Sequence, residues 1–277
     1  MNFSEKLEAA VKDKNSCLML GLDPNPDKMP EHFRKDAQGA KEFCEQVMAV
    51  CEDLICGVKI QMAYFEVFGS AGIKAVEELL EIAKSKNLIT LVDGKRNDIG
   101  STAEAYAKAY LGDGPLGADS LTVNPLLGTD GMQPFIEACE KNNRGIFVLV
   151  RTSNPSSAEF QGGEKELCID IAEKVEEWNI TTQSEKNQLA SVGAVVGATN
   201  SQMFHFFREE MPHAWILAPG VGAQGGSMEE VLEARRDGLG VIIPVSRAVL
   251  YAGSGKNFLE ASRAAMIELY EQQVIKE

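Results

Sequence analysis

Between Asp93 and Thr102 the chain reads Asp93-Gly94-Lys95-Arg96-Asn97-Asp98-Ile99-Gly100-Ser101-Thr102. Asp93, Lys95 and Asp98 bring two carboxylates and an ammonium into one short segment. An ammonium held among carboxylates keeps a fixed charge pattern, and it can stabilise a developing negative charge and then supply a proton. Side chains alternate along a strand with period 2. Asp93 and Lys95 therefore project the same way if extended geometry persists through Gly94. Asp98 needs the loop, or another subunit, to bring it back. Gly94 and Gly100 allow backbone to approach a ligand closely. Taken alone, the stretch reads equally as an exposed, salt-bridged loop, so the elements around it must decide.

Leu88–Val92 is an apolar run of strand length, and a helix is expected from Ala103. The charges thus fall where a strand ends and a loop begins. The same alternation runs through the chain. Strands are expected at Cys17–Asp23, Ile55–Ile60, Leu88–Val92, Ser120–Pro125, Gly145–Val150, Val192–Gly197, Trp215–Gly220 and Val241–Val245. Helices are expected near 37–53, 72–86, 103–111, 131–141, 164–180, 201–210, 228–236 and from 257 onward, after an amphipathic N-terminal helix. The helix over 72–86 places Ile73, Val76, Leu79, Leu80 and Ala83 on one face. The strands are apolar on both faces, as parallel strands covered by helices are. Eight such units predict a single (β/α)8 barrel domain over residues 1–277. A doubly wound open sheet is the alternative, but no GxGxxG follows the first strand.

In such a barrel, the polar residues at the C-terminal strand ends converge on one mouth. These are Asp23, Lys59, Asp93, Lys95, Ser153, Pro219, Gln224 and Arg247. Asp23 before Pro24 also reads as a turn former, and Lys59 as a lysine snorkelling at a strand edge. Together with Asp93 and Lys95 they form an alternating acid–base set. Gly220-Val221-Gly222-Ala223-Gln224-Gly225-Gly226 is a glycine-rich loop whose amides suit a phosphate. Pro244-Val245-Ser246-Arg247 adds a guanidinium matched to a dianion. Loops after strands 7 and 8 are the frequent phosphate site of barrels. The two constellations predict a small phosphorylated substrate whose reacting end sits over Lys95.

The composition agrees. Acidic residues number 41 against 27 basic, a formal charge of −14, which argues against a nucleic-acid or membrane surface. The six cysteines form no CxxC pair and read as buried thiols of a reducing compartment. His32, His205 and His213 form no metal-binding pair. No signal peptide or membrane-spanning run is evident, so a soluble, cytoplasmic protein is expected.

The 93–102 stretch resembles the DxKxxDI…T signature of the orotidine 5'-phosphate decarboxylase family. Gly21-Leu22-Asp23, Val58-Lys59, Ala218 through Gly226 and Ser246-Arg247 resemble that family in the same order, over about residues 17 to 253. The length and Thr152-Ser153-Asn154-Pro155 resemble its longer bacterial branch, type 2, with no fused transferase domain. The resemblance implies cofactor-free, metal-free decarboxylation of orotidine 5'-phosphate to UMP. It implies Lys59, Asp93, Lys95 and Asp98 as the charged catalytic set, with Lys95 the proton donor. It implies Asp23 and Thr102 at the ribose, Ser153 at the pyrimidine, and Gln224 and Arg247 at the phosphate. Ile99 and Pro219 fall within the substrate-contacting motifs. Ser246 stands where the family often has glycine, and its backbone amide can serve equally. A homodimer is implied, with Asp98, Ile99 and Thr102 entering the partner's site. Two alternatives stand beside it. One is a Mg2+-dependent sugar-phosphate lyase sharing the barrel and DxKxxD, which wants an acidic ligand where Lys59 stands. The other is a non-catalytic phosphate-binding barrel.

Overall fold

The computed structural model describes every residue except 163–165, 183–188, 223–224 and 275–277. Gln224, expected at the phosphate, lies outside the described residues. The eight strands are β1 (Leu18–Leu22), β2 (Gly57–Gln61), β3 (Ile89–Arg96) and β4 (Ser120–Val123). They continue as β5 (Gly145–Arg151), β6 (Val192–Val196), β7 (Ile216–Leu217) and β8 (Val241–Val245). They follow one another in a closed parallel barrel, so the (β/α)8 expectation is met. Crossover helices include Ala37–Cys51, Ser70–Ser85, Gly100–Leu111, Thr129–Asn142, Leu167–Thr182 and Phe258–Gln273. The six cysteines are buried and none is in a disulfide.

Two strands differ from the sequence reading. β3 continues past Val92 to Arg96, so Asp93 and Lys95 lie within the strand rather than on a loop. β7 keeps only two residues. Pro219 has no amide hydrogen to donate to a ladder, and Gly220, at φ 102°, turns the chain away. The Pro219 carbonyl accepts instead from the Ala198 amide at 2.8 Å.

By contact density the chain forms two compact units. One comprises Met1–Glu8 and Lys95–Ile243. In it the N-terminal helix Phe3–Lys14 contributes Phe3, whose ring meets that of Phe147 on β5 edge to face at 6.1 Å. Beside it, Trp215 Nε1 donates to Ser4 Oγ at 2.8 Å, so the indole N–H is satisfied although fully buried. The other unit comprises Ala9–Gly94 and Pro244–Glu277. Here β1 and β2 pair with Gly21 opposite Lys59, and β2 and β3 pair with Gln61 opposite Asp93. Helix Ala37–Cys51 is started by Asp36, whose carboxylate accepts from the Gly39 amide. Its Phe43 packs with Phe33, Tyr251 and Phe258.

Candidate active site

In the unit containing β1 to Gly94, period 2 places Lys59 and Gln61 on one side of β2. Lys59 is buried, yet its Nζ lies 3.1 Å from Asp93 Oδ2 and 3.5 Å from Asp23 Oδ1. Burial alone would favour the neutral amine. The carboxylates of Asp23 and Asp93 more than offset it, so the pKa of Lys59 is raised above the usual lysine value. The ammonium is thus held at all physiological pH. Asp93 is also buried, and its Oδ2 accepts a second hydrogen bond, from Gln61 Nε2 at 2.9 Å.

Asp23 follows β1 directly, and its loop is held by Tyr251. The Tyr251 hydroxyl donates to the Asp23 carbonyl at 2.9 Å and accepts from the Asn25 amide at 2.6 Å. Burial raises this phenol to about 12, so it stays protonated and able to donate. The Asp23 Oδ1 atom is buried, and its contact with Lys59 at 3.5 Å is longer than an ordinary hydrogen bond. Ser246, just beyond β8, packs where a side chain on Gly21 would reach its Cβ at 2.7 Å, so only glycine fits on β1 there. Its Oγ is buried without a hydrogen bond. Arg247 is exposed.

The second unit carries the remaining predicted residues. Lys95 is exposed and stands in the left-handed region at φ 47°, so extended geometry does not persist through the DGK sequence. Its amide donates to Thr122 Oγ1 at 2.9 Å. Asp98 accepts from the Ile99 amide at 2.8 Å. Ile99 is 55% exposed, and Thr102 is exposed on the first turn of its helix. Ser153 follows β5, and its carbonyl accepts from Thr199 Oγ1 at 3.2 Å. The adjacent Thr152 is tied to Gln161 through amide and hydroxyl. A cavity of ≈ 660 Å³ in this unit is lined by Leu126, Leu149, Phe160 and Trp178 and touches none of the predicted site residues.

Sequence reasoning missed Gln61, Tyr251 and Thr122. Gln61 was findable, two residues beyond Lys59 on the same strand. Tyr251 has no local signal, since its partner is 228 residues away.

A parallel (β/α)8 barrel whose first three strand units set a buried lysine between a buried and a half-buried carboxylate is built for electrostatic and proton-transfer chemistry. Comparison with known proteins narrows the class. The sequence profile of the "Orotidine 5'-phosphate decarboxylase / HUMPS family" matches residues 16–261, and the chain belongs to that family. It is 41% identical to the orotidine 5'-phosphate decarboxylase of Roseiflexus castenholzii, over 97% of this chain and 96% of the relative. To that of Caldicellulosiruptor saccharolyticus it is 38% identical, over 91% and 90%. The fold matches the solved OMP decarboxylase of Leishmania donovani with a TM-score of 0.81 and 32% identity, covering 99% and 98% of the chains.

Proposed function

We infer that this protein decarboxylates orotidine 5'-phosphate to UMP. The observation that carries the reading is Lys59 buried between Asp23 and Asp93, in a chain of this family. The metal-dependent lyase reading needs a divalent cation at the end of β2. There the two carboxylates already share an ammonium, and a metal ion would have to displace it.

In the proposed reaction the bond from C6 of the pyrimidine to its carboxylate breaks, CO2 leaves, and the electron pair stays on C6. Lys95 holds that charge with its ammonium and then transfers an Nζ proton to C6. Asp93, fixed by Lys59 and Gln61, faces the departing carboxylate and destabilises it until CO2 has gone. The buried Oδ1 of Asp23, whose contact with Lys59 is longer than an ordinary hydrogen bond, supports its assignment to a ribose hydroxyl. We assign Ser153 to the pyrimidine, Pro219 to a substrate contact, and Gln224, Ser246 and Arg247 to the phosphate. Binding energy from this remote group is available to lower the barrier at C6.

We further assign the chain to the longer bacterial branch, supported by Thr152-Ser153-Asn154-Pro155, as a single-domain cytoplasmic enzyme with no nucleic-acid partner. No described helix is long and apolar enough to cross a membrane. The proposed assembly is a homodimer in which Asp98, Ile99 and Thr102 serve the partner's site. The outward exposure of Ile99 and Thr102 supports it.

Arg247 gives the test of substrate class. Arg247→Ala is expected to weaken UMP binding by about 1.5–3 kcal/mol, the range for hydrogen bonds to a charged group. Uridine, lacking the phosphate, should bind both proteins alike. Calorimetric titration with both ligands checks this, and equal losses for the two would refute the phosphate role.

A further inference from the structure

We propose that Thr122 is a positioning residue for the reaction, holding the backbone of Lys95 so that its ammonium meets the reacting carbon. This deepens the proposed function and rests on Lys95 being the proton donor. Lys95 is a non-glycine residue with φ 47°, and on β3 no other residue has positive φ. Side chains with a Cβ resist the left-handed region, and such a conformation persists only where neighbouring groups enforce it. Thr122 is placed to do so. Its Oγ1 accepts a hydrogen bond from the Lys95 amide at 2.9 Å.

The acceptor is itself rigid. Thr122 lies inside β4, is 1% exposed, and its strand is paired to β5 through Thr122 opposite Phe147. A β-branched side chain has few χ1 choices, so this hydroxyl cannot follow a wandering partner. Beyond Lys95 the backbone is tied again, where the Arg96 carbonyl accepts from the Asn124 amide at 3.0 Å. The exposed Lys95 side chain therefore leaves a backbone clamped by residues of β4 and its following loop. A lysine with a long stem and no such clamp would sample many positions.

The test uses Thr122→Val, which keeps shape and removes the acceptor, and Thr122→Ser, which keeps the acceptor. Thr122→Val is expected to lower kcat by about 10- to 100-fold, the scale of a displaced catalytic group. Its affinity for UMP should stay within about twofold of wild type, since no assigned product contact is lost. Thr122→Ser should restore most of kcat. If Thr122→Val does not fold, Thr122→Ala removes the hydroxyl without adding bulk and must show the same split. Lys95→Ala is measured in parallel. Wild-type kcat in Thr122→Val beside an inactive Lys95→Ala overturns the positioning role and leaves Lys95 as donor. Parallel loss of kcat and UMP affinity in both the Val and Ser variants also overturns it, marking a merely structural residue. An active Lys95→Ala removes the reading on which the inference rests.

Discussion

Replacing Lys95 with alanine is expected to lower kcat on orotidine 5'-phosphate by about 10⁴-fold or more. Two contributions vanish together: proton donation, and a fixed positive charge beside the carbanion. Both act in the transition state, so kcat and kcat/KM should fall in parallel. The fold should not notice. Lys95 is exposed, and alanine meets the same left-handed backbone that lysine already occupies. Exposed substitutions of this kind change stability by about 0.5 kcal/mol or less. Steady-state kinetics and a thermal melt check the two halves. A variant within tenfold of wild type would remove Lys95 from the chemistry.

Mixing two inactive variants should restore activity. Asp98 lies just beyond β3, where the chain enters a helix whose first turn is exposed at Thr102. In a two-fold dimer one patch serves both chains, so this loop would complete the partner's site. Asp98→Ala alone is expected to be almost inactive, as is Lys95→Ala. In a heterodimer of the two, one site lacks both groups and the other has both. Activity should rise to about half the wild-type value per heterodimer, from a background near zero. The measurement is turnover after subunit exchange, with exchange monitored by mass tags. Demonstrated exchange without activity would place Asp98 in the service of its own chain.

The barrel was legible because its determinants are local. β1 and β8 are short apolar runs, and the helix over Ser70–Ser85 buries Val76, Leu79, Leu80 and Ala83 on the face its periodicity indicated. Short elements were not legible. The single-turn helices Ala63–Glu66 and Arg247–Leu250 are too brief to show a period. The charges of the proposed site stood in the open, since Asp23, Lys59, Asp93 and Lys95 interrupt otherwise apolar segments. Their local geometry did not. The left-handed turn at Lys95 is imposed on a lysine, a residue that announces no such conformation. The support of Asp23 by Tyr251 comes from a residue with no sequence relation to it. Residue type reveals which charges are present, while tertiary contacts decide how they are held.

The central claim is that fixed charges of this chain, with no metal, remove CO2 from orotidine 5'-phosphate. It is tested most directly by adding that substrate to purified, EDTA-treated protein. The ultraviolet absorbance of the orotate ring is followed and the product is quantified. The account predicts steady loss of the orotate absorbance, one UMP formed per substrate consumed, and a rate unchanged by added Mg2+. No turnover, or turnover that appears only when Mg2+ is restored, would contradict it.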